Sequence, residues 1–387
     1  MSNQDRAPCV CMVCGYRPTP SGGGTEKYVY ELCLGLLERG LQVEIACEDR
    51  SYLPDEENPL AGHVRGIAPM PHIESLVDAF REKSRRLSDA IDFSRYDVIH
   101  SHGQFGFEPF FHANRLRHRP ALVSTFHLTA LGPVARYQDL GLPDPREAAV
   151  DRATSLMEEV LARLSDRCIA VSEGVAAELI NLYRTDAGAV TTVLNWFDPG
   201  TFYPRDRGAS RHELRMSPEG SYVLYVGHFN MSRGDILKDA LRALPPGVIM
   251  LVLHHDTDPA VQAEFGDRVE FRGHVSADGM ARYYSAVDLL CFPALYAGFG
   301  LVLTEAMACG CPCVVFDYPA MNEVVTAASG YLVQEPTGRA LAAAIAQGLA
   351  DGSQKSVAAR ERAELFRKRD QVDRMIDVYR DALAVAR

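Results

Sequence analysis

Apolar residues in this chain gather in short runs, and between the runs they recur every three or four positions. The runs include Pro8 to Val13, Tyr96 to His102, Ala121 to His127, Cys168 to Val171 and Val190 to Leu194. Tyr222 to Val226, Gly247 to Leu253 and Val269 to Phe271 continue the series, and Leu41, Val43, Ile45 and Cys47 alternate as a further strand. Runs this short and continuous predict strands covered on both faces. The first intervening segment is helical by its spacing: Tyr28, Val29, Leu32, Cys33, Leu36 and Leu37 share one face, and Gly40 ends it. Helices are likewise expected over Glu74–Ile91, Glu147–Leu164, Val175–Tyr183, Met280–Val287, Arg339–Leu349 and Val372–Val385. Thr129 to Arg146, with its glycines and prolines, reads as a long loop suited to a lid or an acceptor. Strands alternating with helices throughout predict an α/β protein of two parallel, doubly wound halves. The alternation breaks at Asn195-Trp196-Phe197-Asp198-Pro199-Gly200, before a charged stretch from Arg205 to Arg215. Domains over 1–197 and 198–367 follow, and 387 residues are ample for two cores.

Open parallel sheets bind ligands beyond the carboxyl ends of their strands, so the strand-to-helix turns are where chemistry is sought. Two of these turns are rich in glycine: Gly22-Gly23-Gly24 near the start, and Gly298-Phe299-Gly300 after the apolar run ending at Pro293. Glycine lets backbone amides come close to a ligand, and a helix start carries partial positive charge, so a phosphate is the natural guest. The helix after Gly300 ends at Gly310, and Cys313 to Phe316 is the next strand. Glu305 lies about a turn inside that helix, where a carboxylate can accept two hydroxyl hydrogen bonds from a sugar ring. Turns of this type also serve simply to pack α/β units. No Gly-Lys-Ser/Thr follows either turn, and nothing suitable stands three residues after Gly24, so neither a Walker loop nor a dinucleotide fingerprint is present. His102 and His127 end their strands and point toward the crevice; of the two, His127 is the stronger candidate for a functional role, while His100 lies within its strand and is expected to be packed.

A formal net charge of −11 argues against general nucleic-acid binding. With no N-terminal signal and no apolar run of membrane-spanning length, a cytoplasmic location is expected. Arg81, Lys83, Arg85 and Arg86 make a basic stretch whose ordinary meaning is a solvated helix face, with weak membrane-surface contact as the second reading. Most of the ten cysteines sit within apolar patterns, and Cys11-x-x-Cys14 lies in a strand without a matching pair, so reduced core thiols are expected. Asp256-Thr257-Asp258 after His254 and His255 has the form of a metal–nucleotide motif, yet its place after a strand favours a solvent loop. No metal site is expected, and no Gly-x-Ser-x-Gly elbow supports a serine hydrolase.

Taken in order, these residues resemble the retaining glycosyltransferases of family 4, whose GT-B architecture has two Rossmann-like domains. The resemblance spans nearly the whole chain and is strongest in FPALYAGFGLVLTEAMACGCPCVV. Gly23-Gly24-Thr25-Glu26, Thr125-Phe126-His127, Val171-Ser172-Glu173 and Tyr225-Val226-Gly227 with Arg233-Gly234 support it, as do Phe271-Arg272-Gly273-His274-Val275 and Ala286-Val287-Asp288. The resemblance implies a nucleotide-diphosphate sugar (UDP- or GDP-linked) as co-substrate, a small-molecule or lipid-linked acceptor, and no required cofactor. It implies that Gly23 and Gly24 approach the donor diphosphate and that Arg233 and His228 stabilise its charge as it leaves. Amides near Gly298, Phe299, Gly300 and Leu301 would cradle the same phosphates, Glu305 would hold the ribose, and Arg272, Gly273 and His274 would meet the base. His127 would approach the transferred sugar, with front-face attack and little protein acid–base work. The final helix, about 368–387, would return to the first domain. His102, Phe105, Tyr137 and Trp196 are acceptor-side candidates, although aromatic residues more commonly pack in cores.

Three departures stand out. The family's basic residue after Val-Gly is arginine, and here it is His228; a tryptophan, Trp196, follows the hinge asparagine in place of glycine. Eight residues before Glu305, where the family carries a sugar-contacting glutamate, stands Ala297. A nucleotide-sugar-binding pseudoenzyme, an inactivated variant, or an epimerase of the same fold are the alternatives this opens.

Overall fold

The computed structural model describes residues 7–386 except 21, 50–57, 143–147, 228, 230–233, 255 and 274. Contacts divide it into two units, residues 1–195 with 369–387 and residues 196–368. The first holds strands β1 (Cys9–Tyr16), β2 (Gln42–Glu48), β3 (Val64–Ile67), β4 (Val98–His102), β5 (Ala121–Phe126), β6 (Arg167–Ala170) and β7 (Val190–Thr192). They pair in parallel in the order β3-β2-β1-β4-β5-β6-β7. The second holds β8 (Ser221–Val226), β9 (Val248–Leu253), β10 (Val269–Phe271), β11 (Leu289–Phe292), β12 (Cys313–Phe316) and β13 (Gly330–Val333), again parallel, in the order β10-β9-β8-β11-β12-β13. Each is a Rossmann-like α/β sheet whose order reverses beside its first strand, between β1 and β4 and between β8 and β11.

Continuous burial explains why the central strands were readable. Val10 to Val13 are at most 1 % exposed, and Leu224, Met250, Leu251 and Val252 are buried as fully. All ten cysteines are free buried thiols. Burial pushes the Cys11 thiol far above its usual range, which makes it inert as a nucleophile.

Several elements differ from expectation, each for a local reason. Residues Leu131–Asp139, expected as loop, form a helix. Pro133 falls in its first turn, where no intrahelical N–H is needed, so the ring is tolerated. The charged stretch holds a helix over Arg207–Glu213, whose cap is Asp206 accepting from Ala209 N. Asp258 caps the helix Pro259–Phe265 through Ala260 N and Val261 N, so this carboxylate of the Asp256-Thr257-Asp258 run is engaged in a helix start. Among the described residues no group of three or more His, Cys, Asp or Glu side chains could hold a metal ion. Among them, too, no helix is long and apolar enough to cross a membrane.

The C-terminal helix Lys368–Val385 packs on the first helix, Gly24–Glu38, through a close approach at Gly35. A Cβ on Gly35 would lie 2.8 Å from Val372 Cγ2, and Val372 is fully buried. Overpacking of such a contact costs about 1–3 kcal/mol. We therefore expect Gly35→Leu to lower the urea midpoint of the first unit's unfolding transition, and an unchanged midpoint would show that this helix pair is not close-packed.

Candidate functional site

In the first unit the sheet's reversal brings the carboxyl ends of β1 and β4 together, with β5 beside β4. A cavity of about 310 Å³ opens there, lined among others by Tyr16, Gly24, Glu26, His102, Phe105 and His127. Gly23 caps the helix Gly24–Glu38 with extended backbone and no side-chain hydrogen bond, so the first amides of that helix are not covered by a capping side chain. A Cβ at Gly23 would lie 2.7 Å from Glu26 Oε2, the mobile end of a side chain that can swing aside, so the glycine is not imposed by packing.

Three histidines cluster here, of which His102 and His127 line the cavity. His100 is fully buried and bonded on both nitrogens, Nδ1 with the Tyr379 hydroxyl and Nε2 with Thr125 Oγ1, each at 2.7 Å. The expectation that His100 is a packed residue thus holds, and Tyr379 ties the C-terminal helix to β4. His102 Nδ1 lies 3.2 Å from His127 Nε2. The two rings are within 26° of coplanar with centroids 5.4 Å apart. That separation exceeds the N···N distance by about two ring radii, so the imidazoles meet edge to edge along a hydrogen bond. Tyr28 closes the group, its ring edge-on to His127 at 4.7 Å.

This enclosure disfavours charge. Burial holds His127 down to about 4 and His100 to about 3, the latter with a smaller contribution from His127. His102 is held well below its usual value by burial first and then by His100 and His127. All three are neutral at neutral pH.

The cations around the first turn have partners. Arg17 is buried and donates to Asp49 at 3.1 Å. Lys83 pairs with Glu48 at 2.6 Å in the interior, and its ammonium sits 3.6 Å from the centre of the Tyr16 ring, which is 42 % exposed. Lys83 is therefore buried and paired, not part of a solvated basic face. Phe105 lines the cavity, and its ring lies where a side chain at residue 15 would be, which accounts for Gly15. Tyr137 is half-buried on the helix Leu131–Asp139, outside the cavity lining. Sequence reasoning overlooked Glu158, which lines the cavity while accepting from Ala130 N at 2.9 Å and from the Tyr183 hydroxyl. Its position within a regular helix carries no local signal of that role.

In the second unit the equivalent reversal lies between β8 and β11. Gly300 caps the helix Leu301–Ala308 with φ +88°, a left-handed conformation that a side chain would resist. Gly298 and Phe299 are buried behind it, and Phe299 packs edge-on against Phe366 at 5.6 Å. Glu305 is 3 % exposed, with Oε2 accepting from the Tyr284 hydroxyl at 3.1 Å. Ala297 is half-buried in the turn before Gly298. Gly273 has φ +70°, and Arg272 donates to Leu214 O at 3.5 Å and pairs with Glu270. Trp196 falls in this unit and is buried. His228, Arg233 and His274 lie outside the described residues. Glu323 accepts from Ala320 N at 3.0 Å and so holds Ala320 at φ +67°, a strained value for a non-glycine residue.

Two family models match successive parts of the chain. The sequence model described as Glycosyltransferase Family 4 matches residues 22–201, and that of Glycosyl transferases group 1 matches residues 220–351. A D-inositol 3-phosphate glycosyltransferase of Mycobacterium marinum is 29 % identical over 94 % of this chain and 82 % of its own. One of Nocardia farcinica is 28 % identical over 82 % of this chain and 74 % of its own. Among solved structures, a sucrose-phosphate synthase from Thermosynechococcus elongatus superposes with a TM-score of 0.81 at 25 % identity, covering 98 % of this chain and 100 % of that one. Anabaena HepE in complex with UDP and glucose gives 0.70 at 18 % identity, over 96 % and 98 %.

The histidine cluster makes a pH prediction. A histidine whose folded pKa is depressed binds no proton in the native state while the unfolded chain does, so stability falls as pH drops below about 6.5. Each contributes up to about 1.4 kcal/mol per pH unit. Denaturant midpoints of the first unit should decline from pH 7 to pH 5, and His100→Gln should make that decline about a third shallower. A midpoint independent of pH over this window would contradict neutral burial of the cluster.

Proposed function

We propose that this chain, which belongs to glycosyltransferase family 4 and has the GT-B fold, moves a sugar from a nucleoside-diphosphate donor to a polyol acceptor with retention at the anomeric carbon. The observation that carries the donor half is the start of the helix Leu301–Ala308. An uncapped, glycine-opened helix N-terminus at a sheet's switch point, with a buried carboxylate one turn in, suits a diphosphate followed by a ribose. Gly298 to Leu301 then receive the diphosphate, and Glu305, braced by Tyr284, receives the ribose hydroxyls. Arg272 and Gly273, with His274, face the base, while Arg233 and His228 add charge to the departing diphosphate. Leaving-group stabilisation is the main catalytic demand on such a site. No metal or cofactor takes part in this scheme.

The first unit supplies the acceptor cavity and His127. Its lining of carboxylates, imidazoles and aromatic rings suits a hydroxylated ring, and the inositol phosphate named for the Mycobacterium marinum relative makes a cyclitol the first acceptor to try. His127, neutral, offers an uncharged hydrogen bond to the transferred sugar.

Ala297 favours a second reading, a protein that binds the donor without transferring it. A panel of UDP-, GDP- and ADP-sugars separates the two. A donor at 100 times its Kd should stabilise the chain by about 2.7 kcal/mol, and adding D-inositol 3-phosphate or myo-inositol should release nucleoside diphosphate. Ala297→Glu should raise turnover ~10-fold or more if the missing carboxylate limits transfer. Stabilisation without release in either form would establish the binding protein, and no stabilisation by any donor would overturn both readings.

A further inference from the structure

We infer that His102 is a positioning residue that locks His127 in a single neutral tautomer, with the proton on Nδ1. The premise is the edge-to-edge bond between His102 Nδ1 and His127 Nε2, 3.2 Å long between rings 26° from coplanar. Two neutral imidazoles share such a bond only if one donates and the other accepts. His102 is 1 % exposed, and among the described residues its Nε2 is buried without a hydrogen-bond partner. If His127 donated, the proton of His102 would have to sit on that buried Nε2, an orphaned N–H of the kind folded proteins avoid. If His102 donates from Nδ1, its Nε2 carries only a lone pair, the lesser penalty. His127 Nε2 is then the acceptor, and its own proton must be on Nδ1.

The surroundings hold this state. His100 packs against His102 with centroids 4.3 Å apart and is itself fixed by Tyr379 and Thr125. A proton on His102 would place a cation between two other imidazoles in a dry site, which is why the pair stays neutral. The ring of His127 is further set by Tyr28, edge-on at 4.7 Å. His127, unlike the buried His100 and His102, keeps partial exposure, and with His102 it lines the cavity. The result is an N–H donor of fixed direction that cannot become an imidazolium in the neutral range. A hydroxyl of the transferred sugar accepts from it without a charge competing with the diphosphate. That catalytic meaning rests on the reading of His127 given above; the tautomer itself does not.

The test is nitrogen-15 NMR of the full chain with labelled histidine, assigned through His127→Gln. The expected result is a His127 with a protonated Nδ1 and an unprotonated Nε2, unchanged from pH 8 to pH 5.5. An Nε2–H form, a tautomer mixture or an imidazolium in that range would overturn the inference. Kinetics give the second arm. His102→Asn keeps an N–H near the Nδ1 position and should retain at least about a tenth of kcat, whereas His102→Leu should lose about 100-fold, both with donor KM unchanged. Equal loss in the two variants would mean packing, not proton placement, and would also overturn it. If the tautomer is as stated but His127→Ala transfers normally, the assignment of His127 to the sugar fails and the positioning of its proton stands.

Discussion

Parallel pairing of β1 with β2 on one side and β4 on the other is the constraint from which the first unit's chemistry follows. Connections from β1 and β4 leave in opposite directions across the sheet, so no crossover helix covers the space between their carboxyl ends. Tyr16 and His102 end those strands, and β5 delivers His127 beside them. The same reversal at β8 and β11 opens the second unit where Gly300 begins its helix. Hydrogen bonding along seven and six parallel strands thus decides where a ligand can meet backbone amides. The loops then decide which ligand.

Both sites carry polar groups in dry surroundings, and in each a central one is satisfied by a side chain from a distant element. Glu305 is braced by Tyr284, twenty-one residues away, and His100 by Tyr379, two hundred and seventy-nine residues away. An unpaired buried polar group would cost about 1–3 kcal/mol, so such pairings stabilise the fold while fixing the direction of a functional group. Lys83 with Glu48 under the Tyr16 ring follows the same rule: the pair has little to gain in net energy from its burial, but it gives an exposed ring a fixed support.

Much of this was legible from residues alone, and what was not has physical causes. Strands buried on both faces announce themselves as apolar runs, and Ala121–Phe126 and Cys313–Phe316 fall where the runs are. The half-exposed edge strand Val64–Ile67 and the polar helix Ser356–Ala363 present no such run or stripe. Pro133 disguised a helix because its place in the first turn cannot be told from a breaker until the start is known. His102 and His127 were visible as strand ends, but their mutual hydrogen bond depends on sheet register, which local sequence does not encode. Lys83 read as part of a basic face because its partner, Glu48, lies on another element.

Everything proposed for the donor rests on the glycine-opened helix start at Gly300 being a diphosphate seat. Calorimetry comparing uridine, UMP and UDP, and the guanosine and adenosine series, at one ionic strength tests it most directly. The account predicts that for one base the diphosphate binds at least about 100-fold more tightly than the nucleoside, a difference of about 2.7 kcal/mol carried by phosphate contacts. Equal affinity of nucleoside and nucleoside diphosphate, or no binding in any series, would contradict it.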